Sequence, residues 1–259
     1  FGTGGKATVD IGDQQDTANR VSVQSDGKIL LAGQSLGSVN AGTVIRLSSA
    51  GALVIAFGGG DGYFSAVNAL RDVRVQSDGK LMACGDTGVD SVLLRLTDTG
   101  ALDTSFNITG ILTLNLSTNS DFFQTVIPQA DGKYVAGGIS QNNTFLETAL
   151  VRVTSTGALD STFATGGIKE ILLGTGSNRV ATIHQASDGK ILVSLEGGAS
   201  SNENFIAARF LNTVAVASTP EIAVTETGVG NVADGGPLSF CTTTLGTPGT
   251  QTFTVTNSG

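Results

Sequence analysis

The chain has 259 residues, which is enough for one large β domain or two smaller ones. Its formal net charge is −8, with 14 Lys and Arg against 22 Asp and Glu. This balance argues against nucleic acid or an anionic membrane surface as a partner, because both require clustered cations. No apolar run approaches the ~18 residues of a membrane helix, so we expect no membrane insertion.

The first predicted element after the N-terminal segment is a β-hairpin over Val23–Gly33, "VQSDGKILLAG". Apolar residues alternate on both sides of an Asp-Gly pair, which predicts two strands joined by a two-residue turn. The same pattern returns three times, at Val75–Gly85, Pro128–Gly138 and Gln185–Leu195. Such a turn requires positive φ at its glycine, so we expect that conformation at Gly27, Gly79, Gly132 and Gly189.

The hairpins recur with a period of about fifty residues. The turn aspartates Asp26, Asp78, Asp131 and Asp188 are separated by 52, 53 and 57 residues, and a phenylalanine recurs at positions 1, 57, 106 and 163. Each unit is predicted to hold four short strands. In the first unit these lie near Val21–Gln24, Ile29–Gln34, Thr43–Leu47 and Gly62–Val67.

A further strand is predicted at Lys6–Ile11, before the first complete unit. It would be the outer strand of a blade whose inner strands lie elsewhere. Two origins stay open: a blade upstream of this segment, or closure of the ring against the last unit.

Four antiparallel strands in about fifty residues match one β-propeller blade. The sequence therefore predicts an all-β fold, a β-propeller with four blades visible, either as it stands or as an arc of a larger ring. The predicted units are residues 1–56, 57–105, 106–162 and 163–218.

The repeated motifs resemble a known family. The stretches "QSDGKILLAG…TVIRLSSAGAL…FGGG" and "QADGKYVAGG…ALVRVTSTGALDSTFATGG" are similar to the delta-60 repeat, a bacterial β-propeller repeat of unknown function. The resemblance covers roughly residues 1–215. It implies the propeller fold and a secreted or cell-surface setting, and it implies no activity.

The pattern changes at residue 219. Residues 219–259 contain neither the DGK turn nor an arginine strand, and they resemble the start of a choice-of-anchor D domain, an immunoglobulin-like repeat. About forty residues are present where such a sandwich needs about a hundred. We therefore expect a truncated segment that does not close, with Phe240 and Phe253 partly exposed or packed on the propeller.

Two positions that recur in all four repeats are predicted to have structural roles; we call a set of equivalent positions a column. Six residues after each turn aspartate the side chain is always small, which predicts a crowded strand position at Ala32, Cys84, Gly137 and Ser194. The third strand of each unit carries an arginine, which we expect to pair with a carboxylate or with strand carbonyls. These arginines are Arg46, Arg95, Arg152 and Arg209.

One polar column is the candidate site. Ten residues before each turn aspartate stands an Asp or an Asn, in the predicted loop that enters the innermost strand: Asp16, Asn68, Asp121 and Asn178. Each side chain could cap its own loop by bonding a backbone N–H two residues on. Alternatively, the four could form a ring of oxygens facing the axis that holds calcium. We favour capping, with neighbours such as Asp13, Phe122 and Arg179 forming the surface that a partner meets.

The sequence contains no recognisable catalytic constellation. His184 is the only histidine, and no nucleophile-elbow, zinc-protease, CxxC or P-loop pattern is present. We therefore predict a non-catalytic, monomeric, extracellular or bacterial cell-surface module that binds an extracellular protein or glycan, with no catalytic residues, no metal site, and no cofactor unless calcium. The alternatives are a propeller-type glycosidase or lyase with an axial site, or a purely structural spacer.

Overall fold

The structure, a computed structural model, describes residues 1–11, 15–37, 40–141, 145–172, 176–199 and 202–212, and three short strands beyond them. The first blade contains β1 (Gln15–Val23), β2 (Ile29–Leu36), β3 (Ala41–Leu47) and β4 (Tyr63–Ala66). The second contains β5 (Ala69–Val75), β6 (Leu81–Asp86), β7 (Ser91–Leu96) and β8 (Ile111–Leu114). The third contains β9 (Phe122–Pro128), β10 (Tyr134–Gln141), β11 (Leu146–Val153) and β12 (Ile168–Ile171).

The fourth blade has three strands within the described residues, β13 (Ser177–Gln185), β14 (Ile191–Ala199) and β15 (Asn202–Phe210). In every blade the strands are antiparallel and follow one another in chain order. The innermost strands β1, β5, β9 and β13 lie side by side, which confirms the predicted propeller architecture.

The last segment forms a separate small sheet. Its strands are β16 (Ala223–Glu226), β17 (Gly230–Asn231) and β18 (Phe253–Thr256), in the order β17-β16-β18. The predicted exposure of Phe240 and Phe253 concerns side chains outside the described part of the chain, as does Cys241.

The hairpin turn is one residue longer than predicted. In the first blade Gly27 N–H donates to the Gln24 carbonyl (2.9 Å), and Gln24 N–H donates to the Lys28 carbonyl (2.8 Å). This is a three-residue loop, a type I turn closed by a glycine bulge, rather than a two-residue Asp-Gly turn. The predicted positive φ is confirmed, at 82° for Gly27, 84° for Gly79, 82° for Gly132 and 84° for Gly189.

The predicted strand at Lys6–Ile11 is wrong. Within the described residues it pairs with no sheet, and its one ladder contact is an isolated bridge between Thr3 and Lys6. The chain before it is held on the first blade, where Gly2 N–H donates to the Ala50 carbonyl (2.7 Å), and at its end Ile11 N–H donates to Asp16 Oδ2 (2.9 Å). Without a neighbouring strand its backbone has no ladder to join.

The hydrophobic core is divided among the three interfaces between successive blades. One recurring phenylalanine is buried in each interface: Phe57, Phe106 and Phe163. Each comes from the connection between the third and fourth strands or its equivalent, so the period of the sequence reflects the spacing of the blades. Burying a phenylalanine contributes about 1.5–3 kcal/mol to stability.

The column of small residues, six positions after each turn aspartate, is crowded wherever another blade follows. Ala32 and Cys84 are fully buried, and a Cβ at Gly137 would lie 2.9 Å from Ile183 Cγ2 of the fourth blade. Ser194 is exposed, since no further blade covers it within the described residues. The prediction therefore holds at three positions and is wrong at Ser194.

Candidate functional site

The four candidate residues lie at one end of the innermost strands, which we call the mouth. Asn68 and Asp121 immediately precede β5 and β9, as predicted. Asp16 and Asn178 are instead the second residues of β1 and β13, because those strands begin earlier than their apolar pattern indicated.

Asp121 is buried and holds the loop that enters β9. Its Oδ2 accepts hydrogen bonds from Leu116 N (2.7 Å) and Ser117 N (2.9 Å). Its Oδ1 accepts from Ser117 Oγ (2.6 Å) and from Gln141 N (3.2 Å). This is loop capping, but the capped N–H groups lie four and five residues before the aspartate rather than two residues after it.

Asp16 caps the preceding loop as Asp121 does, whereas Asn68 and Asn178 donate hydrogen bonds instead of capping an N–H two residues on as predicted. Asp16 Oδ2 accepts from Ile11 N (2.9 Å), Asn68 Nδ2 donates to Asp86 Oδ1 (2.8 Å), and Asn178 Nδ2 donates to the Gly176 carbonyl (3.0 Å). The described residues contain no group of three or more His, Cys, Asp or Glu side chains arranged for a metal ion. The calcium ring remains the alternative to capping, for calorimetry to decide.

A guanidinium–aromatic stack at the mouth was not predicted from the sequence. The Arg71 guanidinium carbon lies 3.9 Å from the centroid of the Phe122 ring, on the next blade. Beneath it, Asp86 Oδ2 accepts from Arg71 Nε (3.2 Å) and Nη2 (3.0 Å). Asp86 Oδ1 also accepts from Gly88 N (2.9 Å), so this buried carboxylate fixes the arginine.

The position of Arg71 depends on a β-bulge. The register of β5 against β6 shifts between Leu70 and Asp72, leaving Arg71 as the extra residue. A bulge interrupts the alternation of side chains and redirects one of them. The same shift occurs in the other three innermost strands. A period-two pattern carries no signal for it, which is why sequence reasoning missed Arg71.

An ionic cluster joins three innermost strands. Asp72 is 1% exposed, and its carboxylate lies 3.0 Å from Arg20 Nε of β1 and 3.1 Å from Arg74 Nη2. It also accepts from Thr125 Oγ1 (3.0 Å) and Val126 N (3.1 Å) of β9. Arg20, Asp72 and Thr125 each lie six residues before a turn aspartate, so comparing that column could have found the cluster.

The arginine column forms ion pairs at the opposite end of the blades. In the second blade Arg95 Nε donates to Asp103 Oδ2 (2.7 Å), and Lys80 Nζ lies 2.9 Å from the same oxygen. Arg95 Nη1 also donates to the Ser155 carbonyl of the third blade (2.5 Å). We call this arrangement of arginine, aspartate and lysine the clasp, and it confirms the predicted carboxylate pairing for Arg95. The prediction is wrong for Arg46, whose Nε and Nη2 have no hydrogen-bond partner among the described residues.

The third blade repeats the clasp with Arg152, Asp160 and Lys133. The Arg152 Nε to Asp160 Oδ2 distance is 2.8 Å, and Lys133 Nζ lies 2.8 Å from that oxygen. Burial alone would raise the pKa of Asp160, but hydrogen bonds from Lys133 and Thr162 and the charge of Arg152 outweigh it and hold that pKa below its usual value. Lys80, Ser105 and Arg95 lower the pKa of Asp103 in the same way.

Cys84 is a buried free thiol. Its Sγ lies 3.7 Å from the Phe123 carbonyl, and burial raises the pKa of the thiol well above its ordinary value. It therefore behaves as a small core residue, as its column predicted.

Residues 24–53, 76–106 and 129–163 match the family described as "Domain of unknown function (DUF5122) beta-propeller". These repeats match a β-propeller repeat family. The matched segments cover the hairpin turn, the arginine strand and the following turn of the first three blades. No curated protein matches the chain.

Two solved structures match the chain at low sequence identity and low TM-score. An endo-1,4-β-xylanase from Bacteroides thetaiotaomicron has 9% sequence identity and a TM-score of 0.43, with 80% of this chain and 76% of that chain covered. The tail fiber of Staphylococcus aureus phage P68 has 9% identity and a TM-score of 0.28, with 77% and 51% covered. In the described part of the chain no helix is long and apolar enough to span a membrane.

Proposed function

We propose that the chain is a non-catalytic β-propeller module of the cell surface or extracellular space, whose mouth binds a glycan or an extracellular protein. The carboxylates Asp86 and Asp121 support a non-catalytic role, because each accepts several hydrogen bonds that hold the structure. Glycosidic acid–base chemistry needs carboxyl groups that contact the substrate and exchange protons.

The observation that carries a binding role is the stack of Arg71 on Phe122. Both side chains are half-buried, so part of each is accessible at the mouth. Asp86 holds the guanidinium from below, so little side-chain entropy is lost when a ligand binds. Fixed aromatic and arginine side chains are the residue types that dominate binding energy at recognition surfaces.

Affinity electrophoresis of the 259-residue chain in gels of neutral and acidic polysaccharides tests this role. We expect retardation by at least one polysaccharide, weakened about tenfold or more in Arg71→Gln and in Phe122→Ala. Lys169→Gln is the matched control, because it removes an exposed cation on the outer strand β12 and should bind as the wild type does.

A reducing-sugar assay on the same polysaccharides tests the enzyme alternative. Turnover by the wild type would overturn the non-catalytic assignment. Unchanged retardation of folded Arg71→Gln and Phe122→Ala would exclude the stack as the binding surface. Circular dichroism of each variant establishes that it is folded.

A further inference from the structure

A fully exposed aromatic side chain lies on the fourth blade. Phe205 of β15 is 105% exposed, four residues before the column arginine. At the same position the first three blades have a small, buried residue: Gly42, Ser91 or Thr148. We call the face of a blade that contains this position the leading face. In the first three blades it packs on the next blade, and in the fourth no blade covers it within the described residues.

The interface between the first two blades shows what this position meets. A Cβ at Gly42 would lie 2.9 Å from Leu70 N, near the start of the innermost strand of the next blade. The Leu70 side chain is buried, as are those of its counterparts in the third and fourth blades, Phe123 and Val180. In the first blade the counterpart is Ala18, which is exposed. The first blade thus has a small side chain where the other three have a larger apolar one.

A cavity of ≈ 220 Å³ lies at Ala18. Leu31 and Ile45 line it from the first blade, and residues 7–9 and 11 also line it. It occupies the trailing face of the first blade, by which we mean the face that packs on the preceding blade in the other three. A cavity of about 150 Å³ with an apolar lining is enough to hold benzene. The exposed phenylalanine and the cavity are therefore a matching side chain and socket, one at each end of the arc of blades.

The segment before β1 has the conformation of a loop that leads into the outer strand of a blade. An isolated bridge joins Thr3 to Lys6, and another joins Thr165 to Ile168, where the third blade enters β12. The two stretches read FGTGGK and FATGGI. Within the described residues, the segment that follows Lys6 pairs with no sheet, although its conformation is that of an outer strand.

The edge of β15 is open for such a strand. Among the described residues β15 pairs with β14 alone. In the third blade Lys169 of β12 pairs with Leu150 of β11. Ala7 has the place of Lys169, one residue after the bridge, and Ala207 has the place of Leu150, two residues before the column arginine. The repeat therefore predicts that Ala7 and Ala207 would be opposite each other in a completed blade.

We propose that the chain associates head to tail with a second copy of itself. The leading face of one fourth blade covers the trailing face of the other copy's first blade, Phe205 fills the cavity at Ala18, and β15 pairs with residues 6–11. The repeat selects this occupant, because the two faces have the columns that meet at every interface within the chain. A contact between two different faces closes into a ring or continues as an open series. The association replaces the monomer expected from the sequence.

Sedimentation velocity of the 259-residue chain over a concentration series tests the association. We expect the mass to rise from that of one chain to that of two or more. Phe205→Asp and Ala18→Asp should each weaken association about tenfold or more, because a buried aromatic anchor contributes strongly to an interface. Ile108→Asp is the matched control: its side chain is 87% exposed in a loop of the second blade, and it should associate as the wild type does. Circular dichroism establishes that each variant is folded.

An equimolar mixture of Phe205→Asp and Ala18→Asp tests the head-to-tail geometry. Each variant lacks one of the two faces, so the mixture contains one intact pair of faces. We expect association to return in the mixture. It would not return if the same face met itself in the two copies.

A disulfide tests the strand register in a Cys241→Ser background. Chains with Ala7→Cys and chains with Ala207→Cys should form a covalent dimer on mild oxidation, because opposite residues of antiparallel strands have Cα atoms about 4.5–5.5 Å apart. Asp10→Cys in place of Ala7→Cys is the matched control. It lies three residues further along, about 10 Å away, which is too far for a disulfide.

Four results would overturn the proposal: the mass of one chain at every concentration, unchanged association of folded Phe205→Asp, no recovery in the mixture, or equal cross-linking of the Asp10→Cys control. Arg71→Gln at the mouth should associate as the wild type does. Loss of polysaccharide binding in that variant with retained association would separate this surface from the proposed binding site.

Discussion

The variant Asp103→Val removes the aspartate of the clasp in the second blade. It places there the valine that the first blade has at the same loop position, Val54. Asp103 is 8% exposed and its partner Arg95 is 5% exposed, so the variant leaves a buried guanidinium without its carboxylate. Removing one partner of a buried ion pair costs about 3–5 kcal/mol. The lower part of this range applies because Arg95 keeps its hydrogen bond to the Ser155 carbonyl.

We therefore expect the free energy of unfolding to fall by about 3–4 kcal/mol. For a domain of this size the midpoint of thermal unfolding should fall by about 6–16 °C. Urea titration followed by circular dichroism measures the free energy, and a thermal scan measures the midpoint.

The double variant Arg95→Met, Asp103→Val is the control for this reasoning. It removes the charge as well as its partner, and apolar replacement of a whole buried pair is often neutral. We expect it to recover at least half of the stability that Asp103→Val loses. A loss below about 1 kcal/mol in Asp103→Val, or no recovery in the double variant, would refute a buried ion pair that holds this loop.

Four further predictions concern pH, turn geometry, the buried thiol and calcium. The pKa of Asp103 is lower in the folded chain than in the unfolded chain, so its contribution to stability is complete above about pH 5 and is lost progressively below about pH 4. The stability difference between wild type and Asp103→Val should therefore shrink in urea titrations as the pH falls below about 4. Gly132→Val should lower the free energy of unfolding by about 1–2 kcal/mol, and Gly132→Asn should lower it less. The backbone conformation rather than a steric contact sets this cost, because φ is 82° and the nearest atom to an added Cβ is 3.8 Å away. Equal losses of stability in the two variants on urea denaturation would contradict this. In a Cys241→Ser background, Cys84 should resist Ellman's reagent while folded and react in denaturant, and rapid reaction of the native chain would show that the thiol is accessible. Calorimetry with calcium should show no tight single site, since Asp121 already accepts four hydrogen bonds; tight binding lost in Asp16→Ala and Asp121→Ala would reverse the capping interpretation.

Local and periodic information in the sequence was sufficient for the architecture. The DGK turns, the recurring phenylalanines and the arginine strand all repeat with the blade, so each constraint appears several times. Positive φ at Gly27 and its counterparts follows from turn chemistry alone. The pairing of Arg95 with a carboxylate follows from the cost of burying an isolated charge.

The length of the turn and the start of β1 were less accessible to sequence reasoning. A three-residue loop and a two-residue loop both contain Asp-Gly, and cross-strand hydrogen bonds distinguish them. The polar residues at the start of β1 are held as a strand by pairing with β2, as in the pair of Asp16 with Ser35. Tertiary pairing overrides weak local preference there.

The sequence by itself determined the propeller repeat, because a blade is specified by turns and apolar periods within about fifty residues. Only the tertiary structure decided which side chains meet across the interfaces between blades, because those residues are far apart in the chain. Arg71 reaches Phe122 through a bulge that no alternation pattern encodes. Among the described residues Arg46 Nε and Nη2 are buried without a hydrogen-bond partner, because Val54 stands in the first blade where the second has Asp103.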